Sequence, residues 1–324
     1  MLQRRPDEKA QKSSSSRSPN DQPTGKSPSD QPAVGLSTPK VAVAIAQRPA
    51  TQPPGTVEHK PVSMAPTARP TRATSVLDAD TRKFDGEALK DIGLRESQNA
   101  FTVVGVVGCQ GCGKSTVLNG LVEGELDPFT AAQDVLLEAQ TMGIDAWITP
   151  QQVIFLDTTP VLHHGGQARD LAATAWLCQV CDIVLVVQDF MDIEVLKLVR
   201  AAEMLSGLER ETHRAALAFV FNKLSRMELQ PGHTDQAQAF LRSFFHHTVD
   251  PRASNRRAAN HCQAFFLPCG GRDCLGVGLQ SLQAFIAGFP QRETKMNTME
   301  WANDAVAAWS RLEADPEGRV AGLV

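Results

Sequence analysis

The sequence predicts a doubly wound α/β domain over residues 96–290, between a tail and a final helical segment. Three observations predict it. A glycine-rich run, Gly108-Cys109-Gln110-Gly111-Cys112-Gly113-Lys114-Ser115, stands between an apolar strand pattern and a helical one. Continuous apolar runs such as Ile183-Val184-Leu185-Val186-Val187 recur along the chain, as strands covered on both faces require. Segments with apolar residues at helical spacing lie between those runs, and that alternation builds a mostly parallel sheet with helices on both sides.

The elements follow in order. Residues 1–95 read as a disordered Pro/Ser-rich tail: 12 of the chain's 20 prolines precede residue 71, Ser13-Ser14-Ser15-Ser16 lies among them, and aromatic residues are nearly absent. Such a segment buries too little apolar surface to offset the entropy of ordering. Residues 101–107 form a buried strand and 115–122 the helix after the glycine run. The polar stretch 123–140 is a mobile loop. Residues 143–149 and 152–157 are a strand pair joined by Pro150-Gln151. A helix over 169–178 carries Leu171, Thr174, Ala175 and Cys178 on one face, and a strand follows over 182–188. Helix 193–205, strand 217–221, helix 234–246, strand 263–267 and helix 277–289 complete the alternation. Residues 291–324 hold a last helix and a tail. There Trp301, Ala305, Ala308, Trp309 and Leu312 share a face. That face either docks on its own domain or binds a partner, since buried Trp commonly anchors interfaces.

Charge and cysteine usage exclude some classes. Residues 1–75 carry 11 Lys/Arg and 5 Asp/Glu, a balance of +6, within a chain of net charge −4. The remainder is therefore near −10, which argues against direct nucleic-acid binding by the folded part. The basic tail is read as solvated, with RNA or acidic partners as the alternative. No apolar core follows Met1-Leu2-Gln3-Arg4-Arg5-Pro6, so no secretory signal is expected. Residues 41–46 are too short to cross a bilayer, so no membrane association is expected. Seven cysteines, an odd number, suit reduced thiols and a cytoplasmic protein. Cys109/Cys112 and Cys178/Cys181 have the C-x2-C spacing that elsewhere suggests zinc. The first pair lies inside a loop whose shape another ligand dictates, and the second ends a helical pattern where Cys serves as a small apolar residue.

The glycine run fits G-x-x-x-x-G-K-[ST], the P-loop of nucleotide-binding proteins, and it sits in the strand–loop–helix context that motif needs. The fold expected is therefore that of a P-loop NTPase, G-domain-like. Backbone N–H groups of Gly108, Gln110, Gly111, Cys112, Gly113 and Thr116 would surround the phosphates at a helix N-terminus. Lys114 would reach the β/γ-phosphates and the Ser115 hydroxyl would bind Mg2+. Asp157 ends a strand where a Walker-B carboxylate stands and would hold Mg2+ through water. Thr141, just before Gly143-Ile144-Asp145, matches the switch threonine that completes the metal shell, with Thr130 as competitor. Asn222-Lys223 would pack on the loop and the purine.

The enzymatic equipment is damaged. GTPases continue Asp-x-x-Gly after the metal carboxylate, and the glycine N–H senses the γ-phosphate. Pro160 stands there and has no N–H. Val161 follows where a water-positioning Gln is common, with His163 and His164 as substitutes in reach. Gln110 places a long side chain where an arginine finger is often admitted. Asn-Lys-x-Asp reads guanine through its Asp, but Ser225 holds that position and cannot make the paired, charge-assisted contact. No catalytic residue is assigned. The cofactor expected is a purine nucleotide, GTP/GDP or ATP/ADP, with Mg2+.

These residues carry a family resemblance. Val103 to Gly108 with the P-loop, Gly143-Ile144-Asp145, Ile148-Thr149-Pro150-Gln151-Gln152, Asp157-Thr158-Thr159-Pro160-Val161-Leu162, Val186-Val187-Gln188-Asp189-Phe190, Ala201-Ala202-Glu203-Met204, Asn222-Lys223, Thr294-Lys295 and Trp301 to Trp309 resemble the SMG-type family of nonsense-mediated mRNA decay factors. The branch resembled is the G-domain-like one, that of the ninth SMG protein. The resemblance spans residues 100–312 and omits the tail. It implies a subunit that forms a heterodimer with a second SMG subunit, the eighth, and that binds and restrains the SMG phosphatidylinositol-3-kinase-related kinase. The chain is more compact than animal members between Asp157 and Arg169 and after Asn222. Thr51-Gln52 and Ser97-Gln98 match the S/T-Q preference of such kinases. The function implied is a regulatory nucleotide-binding subunit; the alternative is a slow, partner-activated GTPase or ATPase switch.

Overall fold

The computed structural model describes residues 71–78, 83–122, 127–131, 143–163, 166–209, 214–245, 262–269, 276–289 and 296–314. Thr51, Thr141, His164, Thr294 and Lys295 lie outside these residues, as do residues 1–70 and most of the 123–140 loop.

The described residues form a seven-stranded mixed sheet. Its strands are β1 (Thr74–Asp78), β2 (Thr102–Val107), β3 (Gly143–Ile148), β4 (Val153–Thr158), β5 (Ile183–Gln188), β6 (Ala216–Leu224) and β7 (Cys262–Pro268). The order across the sheet is β1-β3-β4-β2-β5-β6-β7. The pairs from β4 through β7 are parallel; β1–β3 and β3–β4 are antiparallel. The helices are α1 (Gly86–Asp91), α2 (Lys114–Leu121), α3 (Gln167–Val180), α4 (Ile193–Glu209), α5 (Pro231–Phe244), α6 (Gly276–Ala287) and α7 (Thr298–Ala314).

The strand pattern sorts itself by the two-residue period of a pleated sheet. Val184 and Val186 of β5 enter the core under α3 and α4, while Ile183, Leu185 and Val187 enter the opposite core under α2 and α6. In β6, Leu217 and Phe219 face the first core and Ala218 and Val220 the second. Both faces are dry, so the run is apolar at every position, and this made the central strands legible. The buried Asp182 carboxylate accepts from Val103 N–H at 2.7 Å, and its own N–H donates to Val103 O at 2.8 Å, fixing β5 beside β2.

The sequence reading needs one correction, and one alternative it left open is decided. The tail does not extend to residue 95, because residues 74–78 pair with β3 at the sheet edge and residues 86–91 form α1. Asp85 caps that helix, accepting from Glu87 and Ala88 N–H at 2.9 and 3.1 Å. Val76 and Leu89 are fully buried, so a five-residue strand and one short helix earn their order by tertiary packing against a sheet that already exists. Of the two readings of the Trp face of α7, docking on its own domain is the one found: it is a core face. Trp301 is 1% exposed, and its indole N–H donates to Val180 O at 2.9 Å. The Trp176 indole reciprocates onto Ala305 O at 2.9 Å, and Trp309 meets Trp176 edge-on at 6.0 Å. The helix start is tied down as well: Thr298 Oγ1 donates to Arg95 O at 2.8 Å and accepts from Arg95 N–H at 3.0 Å.

Candidate nucleotide site

The site lies at the carboxyl ends of β2, β4, β5 and β6, where an open α/β sheet places its ligands. β2 ends at Val107 and the loop 108–113 turns into α2. Two glycines are dictated by the geometry. Gly113 is left-handed, φ 95°, and a Cβ there would stand 2.4 Å from Asn222 Nδ2. A Cβ on Gly108 would meet Val187 O at 2.2 Å. The loop can therefore lie against β5 and β6 only with no side chain at these positions.

Asn222 and Lys223 hold the loop from β6. Asn222 Nδ2 donates to Cys112 O at 3.0 Å, and the Lys223 ammonium donates to Gly111 O. Lys223 has φ 60°, the left-handed region, at a register irregularity of the β6–β7 ladder between Phe221 and Leu224. A bulge of this kind re-aims a side chain, and strain of this kind persists at functional sites. The buried Lys114 ammonium donates to Gly108 O at 3.2 Å and Cys109 O at 3.4 Å, placing its charge inside the loop. The Ser115 hydroxyl donates to Asp157 Oδ2 at 2.6 Å. That pairs a hydroxyl with a buried carboxylate, both hard oxygen donors. The structure thus brings together Gly108, Gln110, Gly111, Cys112, Gly113, Lys114, Ser115, Thr116, Asp157, Asn222 and Lys223 around one loop. Thr141 lies outside the described residues; its competitor Thr130 is exposed.

Burial, and then the Asp192 carboxylate, push Cys109 up against the opposing pull of Lys114. Burial pushes Cys112 up to about 11. Cys178 and Cys181 are core residues, and burial pushes the Cys178 thiol up as well.

Three arrangements escaped the sequence reading. Asp145 stands opposite Asp157 in the β3–β4 register, so two carboxylates share that sheet face. Burial and the Asp157 charge hold the Asp145 carboxyl above the usual range, with a Ser75 hydrogen bond opposing them. Asp170, in the first turn of α3, accepts from Leu162 N–H at 2.7 Å. Glu228 Oε2 accepts from Ser225 N–H at 2.8 Å, and Ser225 Oγ accepts from Glu228 N–H at 3.5 Å. The last is the reciprocal S-x-x-E pairing of a capping box, spelled by Ser225-Arg226-Met227-Glu228, here closing a turn rather than opening a helix. The other two are tertiary contacts without a local pattern. His163 is exposed, and His164 lies outside the described residues.

The fold and the loop geometry define a P-loop domain of the G-domain-like type. The family model of the 50S ribosome-binding GTPases matches residues 103–223. A curated relative, the nonsense-mediated mRNA decay factor SMG9 of Salmo salar, is 32% identical over 181 residues, 41% of this chain and 36% of the relative. The SMG9 factor of Xenopus laevis is 30% identical over 184 residues, covering 41% and 36%. The bacterial selenocysteine-specific elongation factor EF-Sec matches with a TM-score of 0.38 at 12% identity, covering 58% of this chain and 28% of its own. These sequence matches make the G-domain region of the chain similar to that of the SMG9 factors, in agreement with the motifs. The chain spans little more than a third of the length of the two curated relatives.

Proposed function

We propose that the chain is a regulatory nucleotide-binding subunit in nonsense-mediated mRNA decay. One observation carries the reading: the phosphate cradle is built in full, from Lys114, Ser115–Asp157 and the Asn222/Lys223 clamp, while Pro160 and Val161 occupy the two positions that sense and hydrolyse a γ-phosphate. A purine nucleotide fills the cradle, and Ser115 with Asp157 suits Mg2+, which prefers oxygen ligands and keeps several waters. Bound cation and nucleotide supply charge that orders the loops around Asp157. The filled domain forms a heterodimer with a second SMG-type subunit and through it binds and regulates the phosphatidylinositol-3-kinase-related kinase of that pathway. Phe190 in the loop after β5, Ile193 at the start of α4 and Met227 in the turn after β6 are exposed apolar side chains, and they support a partner there.

The test is the nucleotide released on denaturing the purified chain, combined with multiple-turnover hydrolysis with and without the second subunit. Stoichiometric nucleotide, lost in Lys114→Ala, and no partner-stimulated turnover are expected. A turnover rate that rises with the partner and vanishes in Lys114→Ala would overturn the reading in favour of an enzyme.

A further inference from the structure

Through residues 159–162, every backbone donor after the metal carboxylate's strand is already committed. Thr159 N–H donates to Gly143 O at 2.9 Å. Pro160 is buried and has none. Val161 N–H donates to Gly108 O at 3.2 Å. Leu162 N–H donates to Asp170 Oδ2 at 2.7 Å, with Leu162 itself in the left-handed region at φ 58°. In this position a nucleotide switch needs an amide free to turn toward the third phosphate. Here, freeing one means breaking either the bond to the P-loop's first glycine or a charge-assisted bond to a carboxylate, the stronger kind.

The geometry points to a fixed clamp. We propose that residues 159–162 do not sense the third phosphate, so the pocket holds di- and triphosphates alike, and that Asp170 is the positioning residue that latches the segment. The inference rests on the nucleotide-binding reading and specifies its regulation. A ligand shifts a conformational equilibrium only through its differential affinity for the two states. The contact that would supply that difference is spent within the protein. Because Val161 hangs on Gly108, any nucleotide that orders the P-loop orders the segment too, whatever its phosphate count. The cradle thus reports occupancy, not nucleotide state.

The experiment compares a nucleoside diphosphate with its non-hydrolysable triphosphate, both with Mg2+, on the full chain. It measures affinity by calorimetry and amide exchange of residues 159–163 by mass spectrometry. The two affinities should agree within roughly threefold, since equal affinity for two states shifts nothing, and exchange should be the same with either ligand. Asp170→Ala should speed exchange of the segment by about tenfold or more, the factor equivalent to losing some 1.4 kcal/mol of protection. Asp170→Asn keeps an acceptor oxygen but loses the charge, so it should speed exchange of the segment by less than Asp170→Ala, about two- to threefold. A triphosphate preference of tenfold or more, or exchange that depends on the third phosphate, overturns the clamp and leaves nucleotide binding standing. Unchanged exchange in Asp170→Ala removes the latch. Should Asp170→Ala fail to fold, the wild-type comparison and Asp170→Asn still decide. Binding of neither ligand overturns the nucleotide reading and this inference together.

Discussion

At the scale of single residues, the site is a balance of charges around one lysine. Lys114 is the cation inside the loop, while Asp157 and Asp145 face each other across β3 and β4. Burial and the Asp157 charge raise the Asp145 pKa in the folded chain. The folded state therefore binds that proton more tightly than the unfolded chain does. The charged form weakens the fold at neutral pH, and this penalty fades as pH falls toward the unfolded carboxylate value of about 4. Asp145→Asn should accordingly melt higher than the wild type at pH 7, and the gain should shrink steadily on acidification. A gain that stays flat between pH 7 and 4 would mean that the charge is not its cause. Val161 sits in the same neighbourhood but is 4% exposed and apolar, with its N–H given to Gly108. Val161→Ala should leave any hydrolysis rate nearly unchanged. A large loss of turnover would show chemistry at a position that has no group to perform it.

At the scale of elements, the two segments outside the alternating core matter most. α7 closes the face formed by α1 and α3, and its two indole bonds cross between helices 121 and 129 residues apart in sequence. Replacing a buried Trp by Ala costs about 3–5 kcal/mol, a large share of the roughly 5–15 kcal/mol that a domain has. Trp301→Ala should therefore lower the denaturant midpoint sharply, and Trp309→Ala, half-buried at the rim, should lower it less. Partner binding that is lost while the midpoint holds would restore the interface reading of this helix. At the sheet edge, β1 covers β3, which would otherwise present unpaired backbone groups, a template for association. Deleting residues 1–79 should leave the pocket intact and make the domain prone to self-association, read by light scattering against concentration. Ser97-Gln98, the kinase-type dipeptide, falls in the stretch that α7 pins: Gln98 Oε1 accepts from Arg95 N–H at 3.1 Å and Gln98 O accepts from Thr298 N–H at 3.0 Å. A kinase that must read that glutamine side chain would meet it already bound.

At the scale of the whole molecule, legibility in the sequence follows burial and locality. Strands dry on both faces show as unbroken apolar runs, and the phosphate cradle shows because a strand, two obligatory glycines and a helix start must adjoin in sequence. β1 and α1 stayed hidden because their few buried residues, Val76, Leu77, Ala88 and Leu89, are too sparse to set a period and lie beyond a tail-like composition. Asp170 stayed hidden because its partner is a backbone amide eight residues away, a relation with no pattern. The same distinction governs how the molecule responds to its ligand. The P-loop touches β5 through Gly108 and Val187, β6 through Asn222 and Lys223, and the segment after β4 through Val161. A nucleotide in the loop therefore braces three strand ends at once, and because the unfolded chain has no such loop, binding appears as stability of the whole domain. At about a hundredfold excess over the dissociation constant this amounts to roughly 2.7 kcal/mol, or a melting rise of about 5–10 °C for a domain of this size. The rise should be the same for di- and triphosphate at matched saturation, and absent in Lys114→Ala. A wild-type melting point that does not move with excess nucleotide would show that the cradle does not bind it, and would overturn the nucleotide reading.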